Sequence, residues 1–307
     1  MDDNIDYDKD DASAFYQHAQ KLHTQHKTNE ALENIDKSIE INKKINDQEA
    51  LAWSLLYKGM ILHERGMGTE KALEYFKECS TIFESLEILD GAAKALYNIG
   101  WIYRDQGKYD LALEYAKKDL ALREKQDNKE RIGWSNVSIG WINTGKKEFK
   151  LAENHFKKAI QIFNEIEDEK GRAFATRFYA TSIKHSDELE RAIELFNESL
   201  LLFKKLDNKW QVVITLDELG EISEKRDELQ KAIVYYQQML SLLVELQKHD
   251  VLINVQAHII ELYLKLNQRE LAENLFAEMK MLVQDKNNEE FNKKLSEVKK
   301  LLKKNQH

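Results

Sequence analysis

The sequence carries nine histidines, one cysteine and many carboxylates, any of which could hold a metal or move a proton, so their spacing is the first question. His63 is followed by Glu64, but no second histidine stands at i+4, so the pair lacks the facing nitrogen that a helical zinc site needs. The other histidines are scattered. No glycine-rich phosphate loop, paired CxxC or GxSxG is present. Cys79 is alone, which excludes an intramolecular disulfide. It lies three residues after Phe76, a place held by Ala159 and Ser199 farther along, so a buried, inert thiol is expected. These residues predict no enzyme, no cofactor and no metal site.

Elements that could position such side chains are legible in the composition. The chain has 307 residues, no proline and 11 glycines, with 33% charged and 42% apolar residues. A sheet protein of this length needs more turn residues than that, whereas solvated amphipathic helices do not. A net charge of −8 argues against general nucleic-acid binding, which requires a basic footprint. The start, MDDNIDYDKDD, is acidic and unlike a secretory signal, and no run of about eighteen apolar residues suggests a membrane span. A disordered tail over 1–11, a cytoplasmic location and no membrane partner are expected.

A repeat organises the remainder. Ala31, Ala72, Ala112, Ala152, Ala192, Ala232 and Ala272 are spaced by 41 residues and then by 40 throughout. Four residues after each alanine stands Ile35, Phe76, Ala116, Phe156, Phe196, Tyr236 or Phe276. Twelve or thirteen residues before each alanine stands Ala19, Gly59, Gly100, Gly140, Ala180, Gly220 or Ile260. A constant period between twenty and fifty residues signals a stacked array. The unit 129–168 shows how it is built: Ile132, Val137, Ile139 and Ile142 precede a short turn, and Phe149, Ala152, Phe156, Ala159, Ile160 and Phe163 follow at helical spacing. Two helices with so brief a connection lie antiparallel, and neither buries its stripe without a neighbouring hairpin. The glycines are expected to allow close helix crossing, with the alanines filling the facing sites.

The stretch LYNIGWIYRDQGKYDLALEYA (96–116) resembles a tetratricopeptide repeat, with a small residue and an aromatic on the first helix and an alanine on the second. The period of 40 exceeds the usual 34 and the terminal proline is missing, as in the longer repeats of kinesin light chains, spindle-orientation adaptors and bacterial peptide-sensing regulators. The resemblance implies an all-α fold: an α-solenoid, a right-handed superhelix of seven stacked antiparallel helix pairs over 12–286. A basic amphipathic capping helix over 287–307 would follow, its stripe being Phe291, Leu295, Val298 and Leu302. Such a helix could also meet a membrane or an acidic partner, but an array's need for a polar end favours the cap.

In arrays of this kind the first helices line a concave groove that takes partners. Carried over by position, the groove residues of this chain are Tyr57, Tyr97, Asn98, Trp101, Arg104, Trp141, Arg177, Phe178, Lys184, Glu218, Glu221 and Glu224. Trp101 and Trp141 either pack into neighbouring hairpins or stand open on the groove, and their places one residue after Gly100 and Gly140 favour the open face. The lysine–asparagine clamp of chaperone-tail receptors is replaced by Tyr16, Gln20, Tyr57 and Met60. The backbone-gripping asparagine of peptide-sensing arrays is matched by Asn98 alone. The expectation is a non-enzymatic protein-binding scaffold or adaptor whose partner is a protein or peptide with apolar or aromatic anchors and mixed charge. Acidic residues of the partner would lie near Arg104, Arg177 and Lys184, and basic ones near Glu218, Glu221 and Glu224. Alternatives are a peptide-sensing signalling regulator, with no room before Ala12 for the extra N-terminal domain of such proteins, or a self-assembling scaffold. A monomer is expected, with a homodimer as the alternative.

Overall fold

The computed structural model describes residues 8–64, 66, 68–184, 188–286 and 288–304, without the side chains of 283–286. Among these residues there are fifteen α-helices and no strand. They run as hairpins: α1 (Lys9–Thr24) with α2 (Thr28–Lys44), α3 (Gln48–Glu64) with α4 (Thr69–Ser85), α5 (Leu89–Asp105) with α6 (Tyr109–Lys125), and α7 (Lys129–Gly145) with α8 (Phe149–Glu165). Then follow α9 (Glu169–Ile183), α10 (Leu189–Lys205), α11 (Lys209–Lys225), α12 (Leu229–Glu245), α13 (His249–Lys265), α14 (Arg269–Lys286) and α15 (Glu289–Lys304). The chain divides into two compact bodies, residues up to Gly171 and residues from Arg172 onward. In the first body each helix from α1 to α8 packs on the next, and α1, α3, α5 and α7 touch in succession. In the second, α10 to α14 pack in the same serial way, and α15 lies against α13 and α14. Val298 and Leu302 of α15 are buried there.

Helix α1 starts at Lys9, ahead of Ala12. Asp8 explains why: its carboxylate accepts from the amides of Asp10 (2.8 Å) and Asp11 (3.0 Å), and the Asp11 carboxylate accepts from the Asp8 amide in return (3.0 Å). This capping box satisfies donors that a helix start leaves open. Residues 1–7 of the expected tail lie outside the described residues.

Most helices end by one device. The connection is three residues long, and its middle residue has positive φ: His26, Asn46, Glu87, Asp127, Lys147, Glu167, Asp207, Asp227, Gln247 and Asn267, between 49° and 63°. The next amide then bonds back across the turn, as in Lys108 N to Tyr103 O (2.8 Å) and Glu148 N to Asn143 O (2.9 Å). That is a Schellman-type cap, which closes orphan carbonyls and reverses the chain in three residues. Gly107 fills the same place at a φ of 72°. So the turns need little glycine and no proline.

The crossing within each hairpin differs from the sequence expectation in its partner. The repeat alanines, from Ala31 to Ala272, are fully buried. The glycines, however, receive a ring. A methyl group on Gly59 would lie 2.6 Å from Phe76, one on Gly140 2.9 Å from Phe156, and one on Gly220 2.5 Å from Tyr236. The aromatic one turn after the alanine therefore seats on the glycine of its own hairpin. At Gly100 the second helix offers Ala116 instead of a ring, and its backbone comes to 3.4 Å.

Candidate functional site

The helix period places the proposed groove residues on the first helices of successive hairpins. In the first body, Tyr57 lies on α3, half-buried, with its hydroxyl 3.1 Å from His23 Nδ1 and its ring 5.6 Å from that of Tyr16. Tyr97, Asn98, Trp101 and Arg104 share α5. The rings of Tyr97 and Trp101 are 5.9 Å apart, and the Arg104 guanidinium lies 3.7 Å from the Trp101 ring centre, a cation–π contact. Arg104 also pairs with Asp105 at 2.5 Å, so its charge is already partly answered. Trp101 and Trp141 are both half-buried, and the Trp101 indole N–H is enclosed without an acceptor. The Asn98 amide nitrogen donates to the Lys94 carbonyl, one turn back, at 2.8 Å.

Tyr97 and Asn98 line a cavity of about 170 Å³ together with Lys94, Arg131, Trp134, Ser135, Asp119 and Arg123. The last two were not singled out by sequence. They sit at i and i+4 of α6, which places them on one helix face. Both are almost wholly buried, at 2% and 3% exposure. Arg123 reaches Asp119 at 3.3 Å and Asp90 of α5 at 2.6 Å, and Ser135 of α7 donates to Asp119 at 2.5 Å. Burial pushes the Asp119 carboxyl up, against the Ser135 hydrogen bond and the Arg123 charge. A signal was available: the residues seven and eleven after the repeat alanine are Cys79 and Phe83, Ala159 and Phe163, or Ser199 and Phe203 in other hairpins, but Asp119 and Arg123 here.

In the second body, Arg177 on α9 is 9% exposed, with its guanidinium 4.6 Å from the Phe178 ring. Burial draws its pKa down, opposed by the charge of Glu218. Lys184 is bonded to Glu218 and, at 3.3 Å, to Glu221 of α11. This corrects the expectation of separate basic and acidic zones, each free for a partner. Groove positions of neighbouring first helices lie within side-chain reach, so opposite charges there find each other first. Glu224 accepts from Tyr236 (2.7 Å) and is 2.7 Å from His258. Burial pushes its carboxyl up, but those hydrogen bonds and the His258 charge outweigh this and hold it low. Asp217, although partly open to solvent, has its carboxyl pushed up to about 6, by burial first and then by Glu221 and Glu218.

Cys79 is fully buried, and burial raises its thiol to about 12, which leaves no thiolate to act as nucleophile. Among the described residues no cluster of three His, Cys, Asp or Glu side chains could hold a metal ion, and no helix is long and apolar enough to cross a membrane.

Hairpins of this form are defined by their repeat, and residues 65–125 and 91–165 match the tetratricopeptide repeat family. Over 65–165 the chain matches the tetratricopeptide repeat family directly, and the same forty-residue period runs on either side of that stretch. By sequence, no curated protein matches it. Solved structures share the fold. RapI in its apo form is 15% identical, with 95% of this chain and 99% of that one covered and a TM-score of 0.67. A Rap protein complexed with competence and sporulation factor is 15% identical, covering 96% and 76%, at 0.62. Kinesin-light-chain TPR-like repeats from Podosopora anserina are 14% identical, covering 66% and 100%, at 0.56.

Proposed function

We propose that the chain is a non-enzymatic scaffold or adaptor that binds a peptide or helix on the face formed by the first helices of its repeats, the concave groove expected of such arrays. One observation carries this reading. Tyr97, Trp101 and Arg104 form a continuous ring–ring–guanidinium cluster on α5, half-buried and beside a cavity. Half-exposed amphipathic rings of this kind dominate interface energetics. Trp141, at the matching place on α7, extends the same surface. The partner is a protein or peptide with apolar or aromatic anchors. Because Lys184 is bonded to Glu218 and Glu221 and Arg104 to Asp105, recognition rests first on the rings, and a partner's acidic residues compete with those carboxylates for the cations.

The test is selection of peptides from a random library on the full chain, followed by titration against Trp101→Ala/Trp141→Ala. Affinity of the selected peptides should fall by roughly a hundredfold, the loss of two interface anchors. Equal affinity sinks the reading. A peptide-sensing regulator would use the same face; the Rap protein solved with competence and sporulation factor supports it as a second reading. A monomer in the cytoplasm, with α15 capping the array, completes the proposal.

A further inference from the structure

Three hairpins pack a ring eleven residues after the repeat alanine, and the third hairpin along the chain is not one of them. The rings are Phe83 of α4, Phe163 of α8 and Phe203 of α10. Each stands edge-on to an aromatic of its hairpin's first helix: Trp53 at 4.8 Å, Trp134 at 5.3 Å and Phe174 at 5.1 Å. In the α5–α6 hairpin the same two places hold Arg123 and Lys94. Two cations therefore stand where other hairpins pack two rings, and Asp90 ties them together, at 2.6 Å from Arg123 and 2.7 Å from Lys94. Both line the cavity of about 170 Å³ between α5, α6 and α7, and Arg131 of α7, an exposed residue, lines it too. None of these three cations is among the proposed groove residues.

The charge in this lining is not balanced. Lys94, Arg123 and Arg131 face Asp90 and Asp119, which leaves one positive charge over. The Asp119 carboxylate is engaged on both oxygens, by Arg123 at 3.3 Å and by Ser135 at 2.5 Å. The donors are not all engaged. Arg123 Nε donates to Asp119, and Nη1 to Asp90 and Gln126. Nη2 has no acceptor, yet it is not sealed off as the enclosed polar atoms of the molecule are. The side chain is only 4% exposed, so little water competes for that N–H, and an anion gains more from it than from a solvated cation. The Arg131 guanidinium has no ion pair among the described residues. Burial raises the pKa values of Tyr97 and Asp119, and the Arg131 charge is among the causes that oppose both rises, which puts that charge on the cavity side.

We propose that this cavity is a carboxylate-binding site. One carboxylate oxygen meets Arg123 Nη2 and the other meets Arg131, with Tyr97 and Trp134 beside the group that carries it. A monoanion answers the single excess charge, and guanidinium donors suit a pair of oxygens. The small volume takes the acid end of a free carboxylic acid or one acidic side chain of a bound peptide. The first source is independent of the peptide face, whereas the second rests on it.

The test titrates the full chain with benzoate and with its neutral isostere benzamide, by calorimetry and ligand-observed NMR at low salt. Benzoate is expected to bind, and benzamide to bind roughly tenfold more weakly for want of the charge. Arg131→Gln removes an exposed side chain without an ion pair, so it should weaken benzoate by up to about fivefold and leave the melting temperature unchanged. Asp119→Ala/Arg123→Phe copies the apolar residues of α8 and should abolish binding. Should that variant fail to fold, Arg131→Gln and the benzamide comparison decide. Peptides selected on the chain then assign the source. Displacement of benzoate by an acidic peptide, and not by the same peptide with its acids turned to amides, marks a peptide carboxylate; binding of both together marks a free acid. If no peptide is selected, the peptide reading falls and the benzoate titration still decides the site. No saturable benzoate binding up to about 20 mM overturns the proposal. So does benzamide binding as tightly as benzoate, and so does benzoate affinity unchanged in the variants.

Discussion

A single forty-residue unit tolerates very different residues at one place, and Asp119 with Arg123 is the sharpest case. The pair is buried, so its attraction must offset a large desolvation cost, and removing one partner strands the other. Arg123→Leu is expected to lower stability by about 3–5 kcal/mol in urea denaturation. Asp119→Ala/Arg123→Phe, which copies Ala159 and Phe163, should cost far less than that single change. A double change no better than Arg123→Leu would mean that the site is not built as the other hairpins are. Asp217 gives a pH signature. Its folded pKa of about 6 lies above the ordinary value of 3.8, so the folded state holds the proton more tightly. Stability from this group is fully present below about pH 4 and is lost as pH rises through 6. Asp217→Asn should therefore raise the melting temperature at pH 8 and change it little at pH 4. The sequence places Glu218 beside Asp217 and Glu221 one turn on, and it places Asp119 and Arg123 where other hairpins hold small and aromatic residues. The burial that shifts both carboxyls comes from helices distant in sequence, which no residue type reports.

Helices were the legible elements. The apolar period and the short turn put the fourth helix pair within 129–168, and α7 and α8 span Lys129–Gly145 and Phe149–Glu165. The caps were hidden, because the left-handed position is filled by Glu, Lys, Gln, His, Asn and Asp in place of the glycine that usually marks it. An L-residue there carries strain of about 1–2 kcal/mol. Glu167, at a φ of 57°, is such a site. Glu167→Gly should relieve that strain, partly offset by the glycine's greater freedom when unfolded, for a gain of up to about 1 kcal/mol in thermal melts. A loss of stability would show that the Glu167 side chain contributes more than its backbone costs. The glycine–ring contacts were half-legible: the spacing identified a close crossing, but not that Phe76, Phe156 and Tyr236 would occupy it.

At the scale of the molecule, stability is carried between neighbours, as in any stacked array. Ala152 is fully buried at the α7–α8 crossing. Ala152→Leu should overpack it, lowering stability by roughly 1–3 kcal/mol. Hydrogen exchange should show α7 and α8 losing protection well before α1 and α2, and a uniform loss along the chain would contradict this serial picture. Six of the twelve proposed groove residues lie in each body. Their helix and register came from the period, but the bonding of Lys184 to Glu218 and Glu221 required the distance between adjacent first helices, which no spacing along the chain supplies. The three-residue caps also govern what lengths the chain can have. A residue added to such a cap moves the left-handed position off the turn and rotates all that follows, so length is quantised in hairpins. The connection between Glu64 and Thr69 has four residues, and it falls within the one alanine step of 41 in place of 40. An added residue is already carried at that turn, which makes it a natural seam for insertion, whereas a residue added to a three-residue cap shifts every helix after it.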